Sequence, residues 1–117
     1  MAAIAQSGSV ADAFMHAGTR IGWSRIVSCG SEVVLDLCDY LAYCLDDPST
    51  DAVVLFVEGF KRPERFLALA DQALALGKPI VAVKVGRSAQ AQAAAVAHTG
   101  SLAGEIASPR PPCARQA

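Results

Sequence analysis

Ala52-Val53-Val54-Leu55-Phe56-Val57-Glu58-Gly59 decides the fold. Its first six residues form an unbroken apolar run rich in valine. Such a run marks a strand covered on both faces, as in a parallel sheet. Glu58-Gly59 then stands straight after the strand's carboxyl end, where α/β proteins place functional groups. The residues alone leave two readings of Glu58 open: a functional carboxylate, or a solvated loop acid.

Working outward, the segments on either side alternate in type. Downstream, Arg62 to Leu76 reads as a helix with Phe66, Ala70, Ala73 and Leu74 on its inner face and Leu67 beside them. Gly77 caps it, and Ile80 to Val85 is a further apolar strand that exits through Gly86-Arg87-Ser88. Upstream, Leu35 to Leu45 is a helix whose Leu37, Cys38, Leu41, Cys44 and Leu45 share one face. Asp46-Asp47-Pro48 ends it, because proline disfavours helix just before itself. Ile21 to Val27 reads as a strand interrupted by Gly22, followed by a Ser28-to-Glu32 loop. At the start of the chain, Ala2 to Ala5 is a short strand and Gln6-Ser7-Gly8-Ser9 a turn. Ser9 and Asp12 have the spacing of a capping box for a helix carrying Val10, Ala13, Phe14 and Ala17.

Alternation of strand and helix means a parallel sheet with helices on both faces. Ligands of such sheets meet the carboxyl ends of the strands. Collected at those ends are Gln6-Ser7-Gly8-Ser9, Ser28-Cys29-Gly30, Glu58-Gly59 and Gly86-Arg87-Ser88. The turn before the first helix offers backbone N–H groups and the positive end of a helix dipole to an anion. From that motif alone an ordinary N-cap is the favoured reading. Beyond the fourth strand, a featureless Ala/Gln run leads to His98-Thr99-Gly100-Ser101-Leu102-Ala103-Gly104. Small residues there let a bulky anion approach the imidazole, and His98 is the candidate phosphoryl acceptor. A solvated arginine is the favoured reading of Arg87.

The totals narrow the function classes. The chain has 117 residues, 53% hydrophobic and 18% charged, with net charge −1. That fits one domain with a real core and disfavours disorder. There is no basic stripe to suit nucleic acid. No apolar run approaches the roughly 20 residues of a membrane span. The first residues lack the pattern of a signal peptide. Cys29, Cys38, Cys44 and Cys113 show no CxxC spacing, and a reducing cytoplasm is expected. His16, near a helix end, is expected on the surface. With His98 and the scattered cysteines it offers too few ligands for a metal site. No Rossmann, Walker or nucleophile-elbow motif is present.

Taken together, the sequence resembles the flavodoxin-like second domain of the succinyl-CoA synthetase α subunit, and more closely the NDP-forming acyl-CoA synthetases. These include ADP-forming acetate–CoA ligases and feruloyl-CoA synthetase-like proteins. The resemblance runs from about Ala3 to Gly104. It is carried by Ala5-Gln6-Ser7-Gly8, Val27-Ser28-Cys29-Gly30-Ser31-Glu32, Leu45-Asp46-Asp47-Pro48, Val57-Glu58-Gly59, Gly77-Lys78-Pro79-Ile80, Val83-Lys84-Val85-Gly86-Arg87-Ser88 and Ala97-His98-Thr99-Gly100-Ser101-Leu102-Ala103-Gly104.

The resemblance implies a flavodoxin-like three-layer sandwich over residues 1–105, truncated at both ends, with 106–117 a disordered Pro/Arg-rich tail. It implies that His98 takes the phosphoryl group and that Glu58 orients its imidazole. Ser7, Gly8 and Ser9, with Thr99 and Gly100, are implied to hold the phosphate. CoA and ATP or ADP with Mg are implied as substrates of the complete enzyme rather than as resident cofactors. The implied partners are a CoA-binding domain and an ATP-grasp domain or subunit, both outside this chain. A fragment inactive alone is therefore expected, with a sheet edge open to self-association. A non-catalytic interaction or regulatory remnant is the competing reading. The synthetase-like region of a protein acetyltransferase is another.

Overall fold

The computed structural model describes residues 1–86. Four strands are present there: β1 (Ala2–Ala5), β2 (Arg25–Ser28), β3 (Val53–Val57) and β4 (Ile80–Lys84). Three α-helices connect them: α1 (Gly8–Met15), α2 (Leu37–Asp46) and α3 (Pro63–Ala75). A 3₁₀ turn at Gly18–Arg20 lies between α1 and β2. All pairings are parallel and the sheet order is β2-β1-β3-β4. The chain therefore goes outward from β1 to β2, then crosses back to β3. Right-handed crossovers put α1 on one face, and α2 and α3 on the other. This is the parallel sheet with helices on both faces that the order of elements implied, in the flavodoxin-like arrangement that the resemblance implied.

The core lies between the sheet and the α2–α3 layer. Ile4, Leu55, Val53 and Val57 meet Leu37, Leu41, Cys44, Leu45, Leu69 and Ala73 there. The face anticipated for α2 is the one buried. In α3 the buried stripe is Leu69 and Ala73, with Phe66 half-buried against the core; Ala73 and Phe66 belong to the expected inner face and Leu69 does not. Leu74 is 82% exposed and Leu67 63% exposed, so the expected inner face is turned by part of a helical step. With leucine or alanine at most positions of α3, periodicity alone could not orient it.

The strand covered completely on both faces is β1, not β3. All four of its residues are fully buried, and three of them are alanines that let helices approach closely. In β3, Val53, Leu55 and Val57 are fully buried while Val54 and Phe56 are only half-buried. β2 is shorter than expected. Ahead of it, Trp23 packs its ring 5.4 Å from Phe14 and donates from Nε1 to the Phe14 carbonyl at 3.1 Å, while the Ser24 N–H donates to the Met1 carbonyl at 2.6 Å. β1 itself offers only four residues to pair with, from Ala2 opposite Arg25 to Ala5 opposite Ser28.

Candidate functional site

The order of strands reverses between β1 and β3, and that is where an open parallel sheet forms its ligand crevice. Gln6 leaves β1 there and Glu58 leaves β3. The two are joined directly. Gln6 Oε1 accepts from the backbone N–H of Glu58 at 2.6 Å and of Gly59 at 3.0 Å. Gln6 Nε2 donates to the Gly59 carbonyl at 2.7 Å and to Glu32 Oε1 at 3.1 Å. Glu32 Oε1 also accepts from the N–H of Leu37 at 2.8 Å. One buried carboxamide thus ties together the ends of β1 and β3 and the loop that leads into α2.

Glu32 adopts φ 52° although it is not glycine. A left-handed residue of this kind costs about 1–2 kcal/mol. The carboxylate bonds to Gln6 and Leu37 offset that cost, helped by Lys61, whose Nζ donates to the carbonyls of Ser31 at 3.1 Å and Glu32 at 2.6 Å. Asp36 then caps α2 in a reciprocal capping box with Asp39. Arg62 donates to Asp36 from Nε and Nη2, each at 2.6 Å, which holds the Asp36 carboxyl below its usual range.

Ser7 is the N-cap of α1, in place of the expected Ser9, and no Ser9–Asp12 capping box forms. Ser7 is buried while Gly8 and Ser9 are exposed. The Ser7 and Ser9 hydroxyls lie 3.0 Å apart, and no side chain caps the helix start. A Cβ on Gly8 would meet nothing closer than Ser28 Oγ at 3.8 Å, an ordinary contact. Packing within the described residues therefore does not demand glycine there. The helix start is an open set of N–H groups flanked by hydroxyls, suited to an anion.

Glu58 is only 9% exposed, and its Oε2 is buried with no hydrogen-bond partner among the described residues. Native proteins rarely leave such an atom unpaired, because stranding it costs about 1–3 kcal/mol. Its main-chain carbonyl accepts from Lys84 Nζ at 2.9 Å, which binds the end of β3 to β4. At the end of β2, the Cys29 thiol is pushed up to about 12 by burial, with the carboxylates of Glu32 and Asp36 adding to the effect. It stays protonated near neutrality and is a poor nucleophile. His16 is exposed, with Nδ1 2.9 Å from the Asp12 carbonyl, as expected of a surface residue.

Ser7, Gly8, Ser9 and Glu58 accordingly share the carboxyl-end rim of the sheet. Arg87, His98, Thr99 and Gly100 lie outside the described residues, as does the 106–117 tail. The sequence reading places Gln6 and Glu32 in strand-end loops but gives neither a role. The one signal was a carboxamide wedged between an all-apolar strand and a Ser/Gly turn. Among the described residues, no group of three His, Cys, Asp or Glu could hold a metal ion. No helix there is long and apolar enough to cross a membrane.

The profile of the succinyl-CoA ligase like flavodoxin domain matches residues 1–111. The chain belongs to this family. An ADP-forming acetate–CoA ligase of Methanocaldococcus jannaschii is 45% identical over 104 residues, covering 87% of this chain and 14% of that protein. The α subunit of ADP-forming acetate–CoA ligase I from Pyrococcus furiosus is 40% identical over 106 residues, covering 89% of this chain and 23% of the subunit. Among solved structures, the apo form of a dinucleotide-forming acetyl-coenzyme A synthetase 1 from Candidatus Korarchaeum cryptofilum superposes with a TM-score of 0.75. Its sequence identity is 33%, over 91% of this chain and 23% of that one. The flavodoxin-like domain thus spans between a seventh and a quarter of the length of these relatives.

Proposed function

We propose that this chain is the phosphohistidine-carrying domain of an NDP-forming acyl-CoA synthetase. The complete enzyme would convert an acid, CoA and a nucleoside triphosphate to acyl-CoA, nucleoside diphosphate and phosphate. A CoA-binding domain and an ATP-grasp domain or subunit would act as partners, with residues 1–105 forming this domain. The observation that carries the reading is Glu58: a carboxylate oxygen, buried and without a partner among the described residues, on the same rim as Ser7 and the open start of α1.

The chemistry follows from those groups. Neutral imidazole is a good nucleophile near physiological pH. In the acyl-phosphate direction, a ring nitrogen of His98 attacks phosphorus, the bond from phosphorus to the acyl oxygen breaks, and the free acid leaves. The phosphoryl group then passes from nitrogen to the nucleoside diphosphate, restoring imidazole. Glu58 accepts the hydrogen bond of the other ring nitrogen, fixing the tautomer and steadying the positive charge that develops. The N–H groups at Gly8 and Ser9, the Ser7 hydroxyl, and Thr99 and Gly100 hold the phosphoryl oxygens. Fixed dipoles suit this role because phosphoryl transfer asks mainly for positioning and charge stabilisation.

The test supplies γ-labelled ATP and Mg together with the ATP-grasp subunit of an ADP-forming acetate–CoA ligase. An acid-labile, base-stable label should appear on the chain and be absent from His98→Ala. No label on the parent, or equal label on His98→Ala, overturns the proposal.

A further inference from the structure

We propose that Gln6 is a positioning residue for Glu58, acting on that carboxylate through the backbone on which it is carried. The inference rests on the phosphohistidine reading above. Glu58 stands at the point where β3 has ended and ladder hydrogen bonding no longer dictates the backbone. Gln6 takes over. Its side chain bonds three main-chain groups of Glu58 and Gly59, at 2.6, 3.0 and 2.7 Å. Those bonds fix the direction in which the Glu58 side chain leaves the rim. The carboxamide is itself held from behind, since its remaining N–H goes to Glu32, whose carboxylate is anchored on Leu37 at the start of α2.

The residue type is specific to this task. A carboxamide carries an acceptor and two donors on one planar group. Both are used here: the acceptor takes two N–H groups, and the donors serve a carbonyl and a carboxylate. A carboxylate at position 6 could not donate to Gly59 or Glu32, and an ammonium could not accept from the amides. At 6% exposure, Gln6 has almost no water available in its place. Gln6 is followed directly in the chain by Ser7, the cap of α1. One residue thus sets the relation between the strand-end acid and the helix start.

The labelling assay tests this as a double-mutant cycle. Gln6→Ala should slow labelling of His98 by about tenfold to a hundredfold, the scale of a misplaced catalytic group. In a Glu58→Gln background the same change should add almost nothing, because the group it positions is already disabled. Equal slowing in both backgrounds makes Gln6 a general structural residue and overturns the inference while leaving the phosphohistidine reading intact. No label on the parent removes both. If Gln6→Ala fails to give the parent's circular dichroism, Gln6→Glu decides instead. Its protonated form restores one donor beside the acceptor, and the facing Glu32 carboxylate favours that form. Relative to the parent, it should label faster at about pH 5.5 than at about pH 8, and the pH step should vanish in Glu58→Gln. A flat ratio, or a step that persists in Glu58→Gln, contradicts the proposal.

Discussion

The two ends of the sheet use acidic residues in opposite ways. At the amino-terminal rim, Asp47 ends α2 and nearly every polar group around it is satisfied. Its carboxylate accepts from Ser49 N–H and Oγ, from Thr50 Oγ1 at 2.8 Å and from Arg25 Nε at 2.9 Å. Thr50 is fully buried and its hydroxyl lies 2.7 Å from Ser24 Oγ. Lys78 Nζ donates to the carbonyls of Leu45 and Asp47. At the carboxyl-end rim, the buried Glu58 Oε2 has no partner among the described residues. One acid closes the structure, and the other is left with unspent bonding capacity. An unpaired buried oxygen in one place and a saturated one in the other, on a single sheet, is the contrast expected between scaffold and site.

The largest effect on stability is expected from Thr50→Val. The replacement is close in shape but removes the hydroxyl shared by Ser24 and Asp47. Chemical denaturation should register a loss of about 1–3 kcal/mol, the scale of a lost hydrogen bond to a charged carboxylate. A neutral result would mean that the amino-terminal rim is no better satisfied than the other, and the contrast would fail.

Asp47→Asn should show a smaller effect that depends on pH. The hydrogen bonds from Ser49, Thr50 and Arg25 hold the Asp47 carboxyl below the ordinary carboxylate range. A depressed pKa contributes stability that is complete above the unfolded value, near 4, and is lost as pH falls through the folded value. The difference in unfolding midpoint between parent and Asp47→Asn should therefore be constant from neutral pH down to about 5. It should shrink as the pH drops below about 4. A difference that grows on acidification would show that Asp47 is not the depressed group. Asp36, held low by Arg62, and Asp39, held low by the Asp36 backbone N–H and by Arg62, are common to both proteins and cancel from the comparison.

Much of this architecture can be read from the sequence, and the exceptions have physical causes. The β3 run and the five-residue apolar stripe of α2 are strong local patterns, and glycine and proline punctuate them at Gly77 and Pro48. Their order alone places Ser7 and Glu58 on one rim. The cap of α1 was misread because Ser7 and Ser9 are both good N-cap residues. Their rivalry is settled by where β1 ends and where Gln6 is held, which are tertiary facts. The expected β2 starts too early because Ile21 has strand character, while the pairing with β1 begins only at Ala2 opposite Arg25. Gln6 stayed hidden for a different reason. Its partners are Glu32, Glu58 and Gly59, 26, 52 and 53 positions away, and no periodicity reports contacts at that separation. The capping box of α2 at Asp36 and Asp39 was visible as spacing, yet the expected helix start at Leu35 passed over it.

Glu58→Gln bears most directly on the contrast between the rims, measured once for stability and once for labelling. The substitution keeps the shape and removes the charge from an oxygen that nothing in the described structure pairs with. The account predicts an unfolding free energy within about 1 kcal/mol of the parent, because no architectural bond is broken. Phosphoryl labelling of His98 should fall by about a hundredfold, the scale of lost acid–base orientation. A variant that labels at the parent's rate but unfolds more easily would reverse both assignments, making Glu58 a structural acid and contradicting the account.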